Sequence, residues 1–249
     1  TLNFNKDRKN IFYFSGCSVD HYDHEVGTAT LKVLNILGYN VLTETGLCCS
    51  LPMLSSGEFD KAKSRSRKTI INLSKKLQNV KNIVSTSTSC SLTLRKKYSE
   101  YLDFIDKDSL NVSRSIKDLC EFILENHYDF FSQNLRAINI NKVFYHAPCQ
   151  LKSHGMGLPA LEIMRLIPEL KIIMSESDCC GIGGTYGYSK EKNHISNSIK
   201  INLIEQIKNE KPDFIICDSE TCRWNIEKST KIKTIHPIQL ILRSIKYEN

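Results

Sequence analysis

Eight of the ten cysteines in this chain of 249 residues fall in a repeating order. Cys17, the adjacent pair Cys48-Cys49 and Cys90 form one set, and Cys149, Cys179-Cys180 and Cys222 form the other. The offsets between counterparts are 132, 131, 131 and 132 residues, and Ser87 and Ser219, each three residues before the last cysteine of its set, also lie 132 apart. Chance does not hold eight cysteines to a near-constant offset of this size, so the chain is a tandem duplication. Cys120 and Cys217 stand outside the pattern.

Four thiolates in one place suit a soft metal ion or an iron–sulfur cluster. A structural zinc is the plainer alternative and stays open for one half, although such sites usually draw on two close C-x2–4-C pairs. Adjacent cysteines such as Cys48-Cys49 diverge along an extended backbone, and so reach different irons of a larger cluster more easily than one ion. Disulfides are a third option, disfavoured in a reducing compartment. A nucleophilic cysteine would need a base, for which His146, three residues before Cys149, is the candidate. His21 and His24 follow Cys17 and could be zinc ligands or exposed loop residues.

The run Gly181-Ile182-Gly183-Gly184-Thr185-Tyr186-Gly187 fails the G-x-G-x-x-G spacing of a dinucleotide loop. Small residues there would instead let backbone N–H groups approach cluster sulfides. The first half has Ser50 in place of Gly181, so its loop is expected to be less demanding.

The elements that must position these thiols alternate in type. Ile11–Phe14, Asn40–Leu42 and Val80–Ser85 read as strands in the first half, with helices at Val26–Leu37 and Glu58–Leu77. Lys142–Tyr145, Leu170–Met174 and Asp213–Ile216 read as strands in the second, with helices at Leu158–Leu166 and Glu191–Lys208. The expected fold is therefore α/β: two tandem, pseudo-symmetric βαβ-type domains with mostly parallel sheets. The first cysteine-rich domain spans 1–110 and the second 141–249, with a helical connector over 111–140 that contains a helix at Ser115–Glu125. Each cysteine follows a strand, and the carboxyl ends of parallel strands share one edge. One four-thiol cluster per half is the consequence.

A hydrophobic share of 41% and a charged share of 24% describe a soluble globular chain and argue against disorder. No apolar run approaches the roughly 18 residues of a membrane span, and no signal-peptide pattern opens the sequence, so a cytoplasmic protein with reduced cysteines is expected. The net charge of +7 is spread along the chain, with one concentration. Lys61, Arg65, Lys68 and Lys75 line one face of a helix whose other face carries Phe59, Ala62, Ser66, Ile70, Leu73 and Leu77. A solvated face is the expectation; if it binds anything, anionic lipid headgroups or an acidic partner fit. Aromatics do not interleave with the basic residues, so no nucleic-acid partner is expected.

The doubled C…CC…C pattern resembles the cysteine-rich CCG domain family. That resemblance rests on Gly16-Cys17, Thr86-Ser87-Thr88-Ser89-Cys90, Tyr145-His146-Ala147-Pro148-Cys149, Cys179 to Gly187 and Glu220 to Glu227. The family includes iron–sulfur subunits of heterodisulfide reductases, of glycolate oxidase and of lactate utilisation, and the likeness is greatest to the type serving anaerobic glycerol 3-phosphate oxidation. It implies an iron–sulfur electron-transfer subunit. Cys17, Cys48, Cys49 and Cys90 would bind one cluster of the 4Fe-4S type, and Cys149, Cys179, Cys180 and Cys222 the other. A partner subunit carrying FAD would oxidise sn-glycerol 3-phosphate, and electrons would pass to quinone through a membrane-anchoring partner at the inner face of the cell membrane. Lactate or glycolate oxidation is the alternative setting.

The family pattern closes in C-x-x-C, and Ser87 and Ser219 occupy the first of those two positions. Each site thus keeps four cysteines, unless Cys217 substitutes. The ferredoxin-like segment of this subunit type, with its C-x2-C-x2-C-x3-C-P run, is expected to be missing from this chain.

Overall fold

The computed structural model describes residues 5–246. The chain divides into two compact units, Thr1–Phe122 and Ile123–Asn249, and the division falls inside the stretch read as a connector. The first unit holds a parallel sheet of β1 (Lys9–Tyr13), β2 (Tyr39–Thr43), β3 (Ile83–Ser85) and β4 (Ile116–Asp118), in the order β2-β1-β3-β4. The second holds β5 (Lys142–Tyr145), β6 (Lys171–Met174), β7 (Phe214–Ile216) and β8 (Thr234–Ile235), in the order β6-β5-β7-β8. The two units repeat one topology, and the α/β duplication read from the sequence is the fold.

The central strands explain the apolar runs that precede Cys17 and Cys149. Ile11, Phe12 and Tyr13 in β1, and Val143, Phe144 and Tyr145 in β5, are all buried. A parallel strand covered by helices on both faces must be apolar continuously, not alternately. The helix Phe59–Lys76 lays Ala62, Ser66, Thr69, Ile70 and Leu73 on the first sheet's core. Lys61, Arg65, Lys68 and Lys75 are exposed, as expected, but so is Phe59, at 50%. Phe59 is the first residue of the helix, ahead of its first buried turn, and so belongs to neither face.

Two elements correct the sequence reading. Within Ser115–Glu125, Ile116–Asp118 is the edge strand β4 paired with β3, and the helix begins only at Leu119. Glu191–Lys208 is two helices, Asn193–Ile199 and Ile201–Glu210, broken at Lys200. The break puts Lys200 where its ammonium donates to Asn225 Oδ1 at 3.0 Å in a buried contact.

In both sheets the chain runs from the central strand to one neighbour and then crosses to the other. Loops leaving the two sides therefore diverge and open a crevice at the carboxyl edge. One tyrosine braces each crevice. Tyr13 Oη meets Thr86 Oγ1 at 2.8 Å, and Tyr145 Oη donates to Asp218 Oδ2 at 2.8 Å. These pairs are related by the same 132-residue offset as the cysteines.

Candidate functional site

Cys17 lies in the short helix Gly16–His21 that follows β1, and Cys48-Cys49 lie in the loop after β2. Cys90 lies in the helix Thr88–Leu92 after β3. Cys149, Cys179-Cys180 and Cys222 take the same places after β5, β6 and β7. All eight residues are brought together as two groups of four. In the first, the Cys17 and Cys49 thiols both hydrogen-bond to Cys48, and Cys49 continues to Cys90. In the second, the Cys149 and Cys180 thiols both hydrogen-bond to Cys179. Cys180 Sγ then meets Cys222 Sγ at 2.9 Å.

Each group is graded in depth. Cys17 and Cys149 are exposed, Cys48 and Cys179 are half-buried, and Cys49, Cys90, Cys180 and Cys222 are buried. The loop after each cysteine pair delivers the same backbone donor, since Ser50 N–H and Gly181 N–H reach Cys48 Sγ and Cys179 Sγ at 3.3 Å. Both residues sit in the left-handed region, Ser50 at φ 63° and Gly181 at φ 82°. The second loop is nevertheless the more demanding, as expected: Gly183 and Gly184 also lie in the left-handed region, and a Cβ on Gly181 would stand 2.3 Å from the Ser196 carbonyl oxygen.

These contacts separate the thiols electrically. Hydrogen bonds from Cys17 and Cys49 hold Cys48 far below the ordinary thiol range, helped by Ser50 N–H and the Arg65 charge. Cys179 is lowered likewise by Cys149, Cys180 and Gly181 N–H. Cys49 is pushed up by Cys48, Cys90 and burial, and Cys180 by Cys179, Cys222 and burial. Cys149 is raised by its hydrogen bond to Cys179 and by burial. Each site therefore presents one ready thiolate, Cys48 or Cys179, beside thiols that resist deprotonation, Cys49 in the first site and Cys149, Cys180 and Cys222 in the second.

This arrangement opposes the reading of Cys149 and His146 as a nucleophile–base pair. A nucleophilic cysteine needs its thiol lowered by the base, whereas Cys149 is raised. Burial, with Lys152 nearby, lowers His146 to about 4, and its Nδ1 lies 3.2 Å from Ser175 Oγ. The imidazole is neutral at pH 7. His21 and His24 are exposed. His21 packs edge-on against Tyr22.

The donor set fits a cluster better than a single ion. Among the described residues, no three His, Cys, Asp or Glu side chains converge as one ion would need. The thiols run in open chains from surface to core, a span suited to several metal atoms. Several buried polar atoms in or beside the sites also have no hydrogen-bond partner, among them Ser50 Oγ in the first and His146 Nε2 in the second. A bound group carrying sulfides offers such atoms an acceptor or donor.

Ser87 and Ser219 both stand at the N-cap position of a helix, but of the two only Ser87 makes a side-chain cap bond. Ser87 Oγ accepts from Cys90 N–H at 3.2 Å, so that hydroxyl is committed to the helix start. Cys217 is buried immediately after β7, and Cys120 is buried just after β4. The sequence reading missed Arg65 as a neighbour of Cys48, and missed Asn225, whose amide donates to the Cys180 carbonyl at 2.8 Å while its Oδ1 holds Lys200. Arg65 was legible only as one charge in a stripe, and Asn225 carried no signal.

Comparison with known proteins shows what the two units are similar to. Residues 11–95 and 143–227 each match the family described as CCG, cysteine-rich domain. The chain is 32% identical over 238 residues to a subunit of the anaerobic glycerol-3-phosphate dehydrogenase of Escherichia coli strain K12, covering 94% of this chain and 59% of that one. It is 28% identical to a subunit of the fumarate reductase (CoM/CoB) of Methanothermobacter marburgensis, covering 93% of this chain and 44% of that one. It is 26% identical to lactate utilization protein A of Anoxybacillus flavithermus, covering 93% and 98%. The chain thus spans roughly half the length of the first two relatives.

Proposed function

Because the chain belongs to the CCG cysteine-rich domain family, we propose that it is an iron–sulfur electron-transfer subunit of an oxidoreductase. The observation that carries this reading is the pair of open four-thiol chains, one per unit, each with a ready thiolate. Cys17, Cys48, Cys49 and Cys90 would hold one cluster of the 4Fe-4S type, and Cys149, Cys179, Cys180 and Cys222 the other. Such clusters, when bound, take up and release single electrons. The chain itself buries the inner thiols away from water and directs Ser50 N–H and Gly181 N–H at the sulfurs of Cys48 and Cys179. It also sets the Arg65 charge near the first site. These donors and charges stabilise thiolate sulfur and tune the potential.

The anaerobic glycerol-3-phosphate dehydrogenase relative supports a setting beside a flavin subunit that oxidises glycerol 3-phosphate, with quinone as acceptor. In that setting the protein works at the inner face of the cell membrane as a peripheral subunit. Among the described residues no helix is long and apolar enough to cross a membrane. A second setting, lactate or glycolate oxidation, is supported by the likeness to lactate utilization protein A, 26% identical over 247 residues.

Metal analysis of protein purified without oxygen tests the reading. Brown protein with roughly eight irons per chain is expected if both sites hold four-iron clusters. Cys180→Ser should lose about half of that iron while the first site keeps its signal. Colourless protein with stoichiometric zinc overturns it in favour of a structural metal module.

A further inference from the structure

The pattern of eight cysteines makes the two sites equal in sulfur count, but the structure does not. Cys217 is 0% exposed and shares one buried apolar cluster with Cys180, Cys222, Ile182, Ile215 and Ile226. It is the first residue beyond β7, at the carboxyl edge where the site stands. Its backbone is fixed on both sides: the N–H donates to the Ile235 carbonyl at 3.1 Å, and the carbonyl accepts from Arg223 Nη1 at 3.1 Å. The side chain turns into the first turn of the helix Glu220–Thr230, where Sγ lies 3.9 Å from the Ser219 carbonyl oxygen and within hydrogen-bonding contact of the Cys222 thiol. Cys222 therefore has a thiol on either side, Cys180 at 2.9 Å and Cys217.

The first unit has a different residue at this place. The repeat counterpart of Cys217 is Ser85, the last residue of β3, whose hydroxyl accepts from Ser87 N–H at 3.2 Å. Cys120, the other cysteine outside the pattern, is not in the buried cluster that holds Cys49 and Cys90. A buried cysteine can be a small apolar filler, but Cys217 touches another thiol at the mouth of the sheet.

We propose that Cys217 is a fifth thiol ligand of the second site, so that the two halves carry unlike clusters, five sulfurs against four. This rests on the iron–sulfur reading above and adds to it a ligand that the repeat does not contain. Five thiolates place more negative charge around a cluster than four, and Arg223, bound to the Cys217 carbonyl and buried, stands where it offsets that charge.

The test uses the full chain, reconstituted without oxygen with ferrous iron and sulfide. Cys49→Ser removes the first site, so that spectra report the second alone. In that background Cys217→Ala should change the electron paramagnetic spectrum of the reduced protein and release iron to a chelator at least about tenfold faster. Conversely, Ser85→Cys in a Cys180→Ser background should move the first site's spectrum toward that of the native second site. Failure of the parent chain to take up any iron overturns the iron–sulfur reading, and this proposal with it. Iron uptake by the parent with an unchanged spectrum and release rate in Cys217→Ala overturns only the fifth ligand. If Cys217→Ala also abolishes the first-site signal in the otherwise native chain, it has misfolded, and the Ser85→Cys spectrum decides alone.

Discussion

The sulfurs of Cys180 and Cys222 lie 2.9 Å apart as free thiols, although forty-two positions separate them in the chain. No local feature brings them together. The sheet does, because β6 and β7 flank β5 in parallel and each releases its loop at the same edge. Cys49 and Cys90 meet in the same way after β2 and β3. A duplicated βαβ fold thus converts widely spaced cysteines into two compact thiol groups, with the inner pair of each shielded from water.

Depth and protonation run in opposite senses across the outer pair, and this predicts an order of chemical reactivity. Cys149 is exposed but raised, whereas Cys179 is half-buried but lowered through its hydrogen bonds from Cys149 and Cys180. The thiolate is the reactive form. In metal-free, reduced protein at pH 6, iodoacetamide should therefore modify Cys179 before Cys149, as followed by mass spectrometry of peptides. Faster labelling of Cys149 would show that exposure outweighs charge.

The loops after the cysteine pairs predict an asymmetric response to substitution. Gly181 combines φ 82° with a Cβ position 2.3 Å from the Ser196 carbonyl oxygen. Gly181→Ala should cost about 1–3 kcal/mol in the second unit. Ser50 holds the same left-handed conformation with its Cβ already accommodated. Ser50→Gly should be neutral or stabilise the first unit by no more than about 1 kcal/mol. Urea unfolding of the metal-free variants measures both, and equal effects at the two positions would refute the distinction.

How much of this was legible in the sequence follows from the length of each signal. Continuously apolar runs in the central strands, such as Ile11–Phe14, and the offset of the cysteines carry the fold class and the eight thiols. The edge strands β4 and β8 span three and two residues, too short for any periodicity to register. The helix Pro237–Ser244 starts at His236, whose ring nitrogen accepts from Ile238 N–H at 3.1 Å. Serine, threonine and aspartate announce a cap, but histidine does not. Cys217 was legible only as a cysteine off the repeat that could substitute for the missing one, and the packing beside Cys222 shows its surroundings.

The missed strand β4 is held by an ion pair whose loss should be costly. Arg95 donates to Glu121 through Nη1 at 2.9 Å and Nη2 at 2.5 Å, and Nη2 also reaches the Ile116 carbonyl at 2.9 Å. Glu121 Oε2 accepts from Asp118 N–H at 3.2 Å, so the pair clasps both ends of the strand. The side chains are 18% and 13% exposed. Removing one partner leaves the other poorly solvated, and Arg95→Met should cost about 2 kcal/mol. Arg95→Met with Glu121→Gln keeps an acceptor for Asp118 without the stranded charge, and should recover at least half of that loss. Denaturation of the two variants checks the order, and a double variant as weak as the single would contradict it.

Asp106 gives the first unit a defined acid response. It caps the helix Lys107–Ser115, accepting from Ser109 N–H at 3.2 Å and from Ser109 Oγ at 2.8 Å. Arg67 donates to it at 2.6 Å while stacking over Phe104 at 4.1 Å. The Arg67 hydrogen bond, followed by those of Ser109, lowers the carboxyl from its ordinary 3.8 to about 2. A carboxyl lowered on folding stabilises the protein above its unfolded value, and that contribution disappears as pH falls from 3.8 toward 2. Because the group is largely exposed, solvent and salt screen the pair, and the cap geometry contributes most of the effect. Asp106→Ala should cost about 1 kcal/mol at pH 7. Its stability gap from the native chain should narrow steadily below pH 4. Urea midpoints of both proteins between pH 7 and pH 3 measure the gap; a constant gap would mean that the cap works equally well uncharged.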